Sequence, residues 1–204
     1  MQRMDCQNCD TCKFTEEQKE IYYETHITVA YDPRFVDYCK SIGVKVVHID
    51  MGDDVPKHLM TSHTTKGDDY EFLKEAHRLT SLFFTEGFDI QRVKVETVPW
   101  HPYVDEFGYF ECHLAYKEPF ADKIADVFKL HKSRNLMKTG DSTVQMYTYR
   151  EYNTTREDFE ANIECTIQPI QFLTGMLPEK RIIEYAIYDS NKHLDDEWMK
   201  VKTQ

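Results

Sequence analysis

The chain has 204 residues, 41% hydrophobic and 13% aromatic, with only 7 glycines and 7 prolines, so it can bury a sizeable core and carries no low-complexity linker. A formal net charge of −11 argues against coating extended nucleic acid, which depends on a broad basic surface. No apolar run approaches the ~20 residues of a membrane span, and the polar start lacks an apolar signal segment, so a cytoplasmic protein without membrane contact is expected.

Residues 1–20 read as a Cys-rich polar tail. Residues 22–31 alternate as a strand, and Asp32-Pro33 then opens a helix to about Ile42, because Asp is a favoured N-cap and Pro suits the first helical position. Val44–Asp50 reads as a strand, Met51–Pro56 as a turn and His58–Thr65 as a weaker strand. Between Tyr70 and Glu86, Phe72, Leu73, Ala76, Leu79, Leu82 and Phe83 fall at helical spacing, and Ile90–Val98 is a strand stopped by Pro99.

The second half repeats the pattern. Tyr109–Tyr116 is a strand, Phe120–Leu130 a helix, His131–Met137 a strand entry and Thr139-Gly140-Asp141 a turn. Val144–Tyr152 alternates as a strand, and a helix follows from Thr154 to about Leu177, where Pro169 is expected to bend or break it. Arg181–Tyr188 is the last strand. Strand-helix-strand-strand-helix-strand, twice, reads as an α+β fold of duplicated ferredoxin-like modules. Residues 21–100 and 108–190 would pack as one two-lobed unit, followed by a polar tail at 191–204 in which Asp195, Asp196 and Glu197 look solvated.

Tyr23-Glu24-Thr25-His26-Ile27-Thr28-Val29 and Phe110-Glu111-Cys112-His113-Leu114-Ala115-Tyr116 say nearly the same thing: aromatic, Glu, any residue, His, aliphatic, small, apolar. On a strand, Glu24, His26 and Thr28 share one face, as do Glu111, His113 and Ala115. Arg92, Lys94 and Glu96 are expected beside the first set, and Gln145, Tyr147 and Tyr149 beside the second. Facing the two polar surfaces across a cleft would bring His, Glu, Arg and Lys together.

Three chemistries suit these residues. Paired histidines fit general acid–base work on a phosphodiester, since imidazole titrates near neutrality. The stretch His26-Ile27-Thr28-Val29 resembles the H-x-T/S motif of the 2H phosphoesterase (LigT-like) superfamily. The resemblance implies a hydrolase of small nucleotide or RNA-end phosphodiesters that needs no cofactor. His26 and His113 would be its catalytic acid and base, and Thr28 its phosphate contact. Arg92, Lys94 and Tyr147 would complete substrate binding, Arg92 and Lys94 as charge stabilisers. The second copy departs from the motif, because Ala115 has no hydroxyl, and His63-Thr64-Thr65 also fits it. Alternatively, Glu24, His26, Glu111 and His113 offer two carboxylates and two imidazoles to a divalent metal. The third reading is a binding protein without chemistry, in which the Glu-x-His pairs hold a small anion or form a structural polar seam.

Cys6, Cys9 and Cys12 are spaced as metal-binding thiols are, but a closed site needs a fourth ligand. There is no Gly-rich phosphate loop and no G-x-S-x-G elbow. Along the whole chain, Arg92–Glu96, Tyr109–His113, Ser133–Asn135, Glu184–Asn191 and Leu194 to Trp198 resemble a mainly bacterial family of uncharacterised proteins, which implies no substrate.

Overall fold

A computed structural model describes residues 20–52, 57–67, 69–104, 108–137 and 144–199. Its strands are β1 (Tyr22–Val29), β2 (Val46–Asp50), β3 (His58–Thr61), β4 (His63–Lys66), β5 (Ile90–Thr97), β6 (Tyr109–Tyr116), β7 (His131–Asn135), β8 (Gln145–Tyr152) and β9 (Lys180–Asp189). Its helices are α1 (Arg34–Ser41), α2 (Asp69–Thr85), α3 (Asp122–Val127), α4 (Arg156–Thr174) and α5 (Asp196–Met199). A 3-10 turn over Lys192–Asp195 leads into α5. The expected turn at Thr139-Gly140-Asp141 and the Cys6, Cys9 and Cys12 cluster lie outside the described residues.

All strands join one antiparallel sheet in the order β3-β2-β7-β8-β6-β9-β5-β1-β4, and β3 also pairs with β1, so eight strands close into a barrel with β4 as a ninth beside β1. This overturns the expectation of duplicated ferredoxin-like modules packed as two lobes. Lys94 is opposite Asp189 where β5 meets β9, and Ile49 is opposite Asn135 where β2 meets β7. Strands from both halves of the chain therefore share a single wall. The physical reason is that a sheet with one charged face can hide it by curling on itself, and closure also removes the unpaired edges that an open sheet presents.

The apolar core lies outside this wall, under the helices. Phe72, Ala76, Leu79 and Phe83 are the buried positions of α2, and Phe35 and Cys39 are those of α1. With Ile27, Val29, Leu59 and Phe88 most of these form one cluster. A second cluster joins Phe110, Cys112, Leu114 and Tyr116 of β6 to Ala125 of α3 and Phe159, Ile163, Ile167 and Ile170 of α4. Each buried Val, Leu, Ile or Phe among them contributes about 1.5–3 kcal/mol on burial. Thr155 caps α4 by accepting from the Asp158 amide, and Gly175 ends it at φ 72°. The helix continues through Pro169 to Thr174, so the proline does not break it. Among the described residues no helix is long and apolar enough to cross a membrane.

Candidate functional site inside the barrel

Because successive side chains on a strand alternate faces, the residues not used by the outer core point into the barrel. Glu24, His26 and Thr28 enter from β1, Arg92, Lys94 and Glu96 from β5, and Tyr109, Glu111 and His113 from β6. They pair in register, His26 opposite Lys94 and Thr28 opposite Arg92. Beside β6, Glu111 is opposite Arg150 on one side and Glu184 on the other.

The charged groups form one continuous chain of alternating sign. Asp189 holds Arg92 through two bonds, Nε to Oδ1 at 2.9 Å and Nη2 to Oδ2 at 2.6 Å. Arg92 Nη1 reaches Asp195 Oδ2 at 2.8 Å, and Arg150 Nη2 donates to the same oxygen at 2.5 Å. Arg150 Nε donates to Glu111 Oε1 at 2.6 Å. Lys94 Nζ lies 2.9 Å from Glu111 Oε2 and 2.6 Å from Glu96 Oε1, and Glu96 Oε2 lies 2.7 Å from His26 Nε2. Tyr109 closes the far end, its hydroxyl donating to Asp189 Oδ2 at 2.6 Å. Burial opposes ionisation of Glu96, Glu111 and Asp195, but the neighbouring cations outweigh it, and all three carboxyls lie below their ordinary values. The chain holds Asp189, Asp195, Glu111 and Glu96 against Arg92, Arg150 and Lys94, so it is neutral only when His26 is an imidazolium.

The hydrogen bonds of His26 require that state. Its Nδ1 faces the Thr61 carbonyl at 2.8 Å, which can only accept, and its Nε2 faces the Glu96 carboxylate. Both nitrogens therefore carry a proton. Burial lowers the His26 pKa, but the Glu96 carboxylate more than reverses this and the net shift is upward. His113 is also raised: burial opposes it, and Glu184, with Nε2 3.4 Å from its carboxylate, wins. Its Nδ1 meets the Thr148 hydroxyl at 2.9 Å. His58 on β3 moves the other way, lowered by burial and by Arg92 and Lys94 against the opposing pull of Asp195.

Between these groups lies a cavity of about 230 Å³. Its lining mixes charged or polar side chains (His26, Thr28, His58, Arg92, Lys94, Glu111, His113, Ser133, Asn135, Thr148, Arg150 and Asp195) with the apolar Ile49, Met51, Met60, Met146 and Trp198. His26, His113, Thr28, Arg92 and Lys94 from the sequence reading thus line a single cavity. Tyr147 does not. It is fully buried on the outer side of β8, stacked on Phe120 at 4.0 Å, and its hydroxyl accepts from the Phe120 amide at 3.1 Å. The residues of β8 that face inward are Met146, Thr148 and Arg150.

The four expected metal ligands are not the group that converges. Glu24 accepts from the Ser62 hydroxyl at 2.6 Å and stays 3.8 Å from His26 Nε2. The converging donor atoms belong to Glu96, Glu111 and His113, all within 4.8 Å of one another. The Lys94 ammonium already bridges the two carboxylates, so a metal there competes with a resident cation. His26 has no lone pair to offer while both its nitrogens donate.

His58, Arg150, Glu184 and Asp195 were not expected as site residues, whereas Glu96 was expected on the polar face beside His26 without a role of its own. Asp195, read from sequence as solvated, is 3% exposed because the 3-10 turn carries it into one end of the barrel. No protein-family model matches this chain, and no curated protein matches it.

Proposed function

We propose that the barrel interior binds a small ligand, polar at one end and apolar at the other. The observation that carries this reading is the 230 Å³ cavity, whose lining combines buried charged groups with Ile49, three methionines and Trp198. An eight-stranded barrel is about wide enough for either its own side chains or one small ligand. The space suits on the order of ten non-hydrogen atoms at protein packing density. His58, displaced toward its neutral form, and His113, displaced toward its charged form, line the same cavity. Two titratable groups pushed apart in this way can act as base and acid on what is bound. Methyl NMR on methionine-labelled protein tests the binding. Small compounds should shift the Met60 and Met146 methyls, and a fragment collection that leaves both unmoved would refute it.

A second reading, metal-independent phosphodiester hydrolysis, is supported by the meeting of His26, His113, Thr28, Arg92 and Lys94 at one cavity. Two observations weigh against it. The three cations are already engaged by carboxylates, and His26 is held as a double donor. A 2′,3′-cyclic nucleotide incubated with EDTA decides the matter: hydrolysis by the native protein and its loss in His113→Ala would favour this reading, and no hydrolysis by the native protein would end it.

A further inference from the structure

The buried end of the cavity holds an unusual guest. Asp195 comes from a short segment after the last barrel strand, yet its carboxylate sits between the guanidinium groups of Arg92 and Arg150, at 2.8 and 2.5 Å. Both arginines belong to the wall, and both are nearly inaccessible. The segment that delivers Asp195 is small, a single 3-10 turn followed by the four-residue α5. The segment is also held by Trp198, whose Nε1 donates to the Lys132 carbonyl at 3.0 Å and whose carbonyl accepts from His131 Nδ1 at 3.0 Å, and the Asp195 carboxylate lies 3.8 Å from His58 Nδ1.

We propose that Asp195 is an internal stand-in for the carboxylate of the ligand. This inference rests on the reading of the interior as a binding site. The ligand is a small carboxylic acid anion with an apolar body, its head taking the place of Asp195 between Arg92 and Arg150. Two guanidinium groups converging on one oxygen are suited to an anionic, planar acceptor. The tail would lie against Met60, Met146 and Trp198, which line the same cavity. Binding lifts the 3-10 turn and α5 from the barrel end. His58 marks the route, since it lines the interior cavity and also the outer groove beside Leu194 and Glu197. A tethered carboxylate competes at an effective concentration in the millimolar range or above, so the native protein should bind such acids weakly.

Calorimetric titration of the full chain and of Asp195→Ala with benzoate, benzamide and inorganic phosphate tests this. The expected result is benzoate affinity about tenfold or more higher in Asp195→Ala than in the native chain, with no such gain for benzamide. On the native chain, saturating benzoate should raise amide hydrogen exchange across residues 192–199 while lowering it in β5 and β8. Should Asp195→Ala fail to fold, Asp195→Asn keeps the shape and removes the charge, and the same gain is expected. Equal benzoate affinity in native and variant proteins would overturn the stand-in role. A gain for phosphate as large as that for benzoate would overturn the carboxylate assignment. Benzamide binding both proteins as tightly as benzoate would overturn the arginine anchor while leaving the cavity a ligand site. If none of the probes binds either protein, the inference falls; unmoved Met60 and Met146 methyls in the fragment experiment would show that the binding reading falls with it.

Discussion

Strand β6 separates two environments residue by residue. Phe110, Cys112, Leu114 and Tyr116 point outward into an aromatic core under α3 and α4, while Tyr109, Glu111 and His113 point inward among buried charges. The outer side is held by area: its contacts are numerous, individually weak and independent of pH. The inner side is held by pairing, because each charge removed from water costs several kcal/mol and is tolerated only beside its partner. Apolar packing is concentrated outside the barrel and charge pairing inside it, with one backbone serving both.

Removing one member from each side tests this division. Glu111→Ala takes one of two carboxylate partners from each of Lys94 and Arg150 and should cost about 3–5 kcal/mol in urea unfolding. Phe159→Ala on the outer side, where Phe159 stacks on Phe110 at 5.1 Å, should also cost about 3–5 kcal/mol. Only Glu111→Ala should change how stability depends on pH; equal pH profiles for the two variants would break the comparison.

That pH dependence has two limbs. His26 and His113 are raised above the ordinary 6.5, so their contribution is complete below that value and is lost as pH climbs through their folded values. Glu96, Glu111, Asp189 and Asp195 are lowered, so theirs is present above the ordinary carboxyl range and is lost as pH falls through their folded values. His26→Gln should flatten the alkaline limb, removing up to about 1.4 kcal/mol of stability change per pH unit across the interval that His26 spans. Urea midpoints across that limb measure it, and an unchanged slope would contradict the imidazolium assignment.

Smaller effects sharpen the boundary between the sides. A Cβ at Gly108 would stand 2.1 Å from the Ala186 carbonyl oxygen and 2.6 Å from the Tyr185 ring, so Gly108→Ala should cost about 1–3 kcal/mol by overpacking. Tyr147→Phe leaves the Phe120 amide without its acceptor and should cost about 1 kcal/mol in thermal unfolding. It should leave the Met60 and Met146 methyl resonances in place, since Tyr147 lies behind the wall.

Most of the order of strands and helices was legible from periodicity and from signals such as Asp32-Pro33, and the shared inward face of Glu24, His26 and Thr28 followed from alternation alone; but His58–Thr65, read as one strand, is β3 and β4, and the polar tail carries the 3-10 turn and α5. The closure was not legible. It depends on Lys94 meeting Asp189 and Ile49 meeting Asn135, pairs far apart in the chain that no local pattern announces. The orientation of β8 was ambiguous for a different reason. Gln145, Tyr147 and Tyr149 look as suited to a polar face as Met146, Thr148 and Arg150, so a period of two could not choose between them. Asp195 sits in the run Asp195-Asp196-Glu197, which reads as solvated surface, and only the turn over Lys192–Asp195 selects one of the three for burial.

The two seams that unite the wall are unequal. β5 and β9 share four residue pairs, whereas β2 and β7 share two, assisted by the Leu136 amide donating to the His48 carbonyl at 2.7 Å. Local opening is cheapest where the fewest bonds must break together, so the barrel should breathe along β2 and β7, as along the two-pair closure of β1 and β3, long before it unfolds. Ile49 and Asn135 on that seam also border the cavity. A guest bound as proposed would then enter or leave at a rate set by the fluctuation of this short hinge of backbone, and poorly protected sheet amides should be found there.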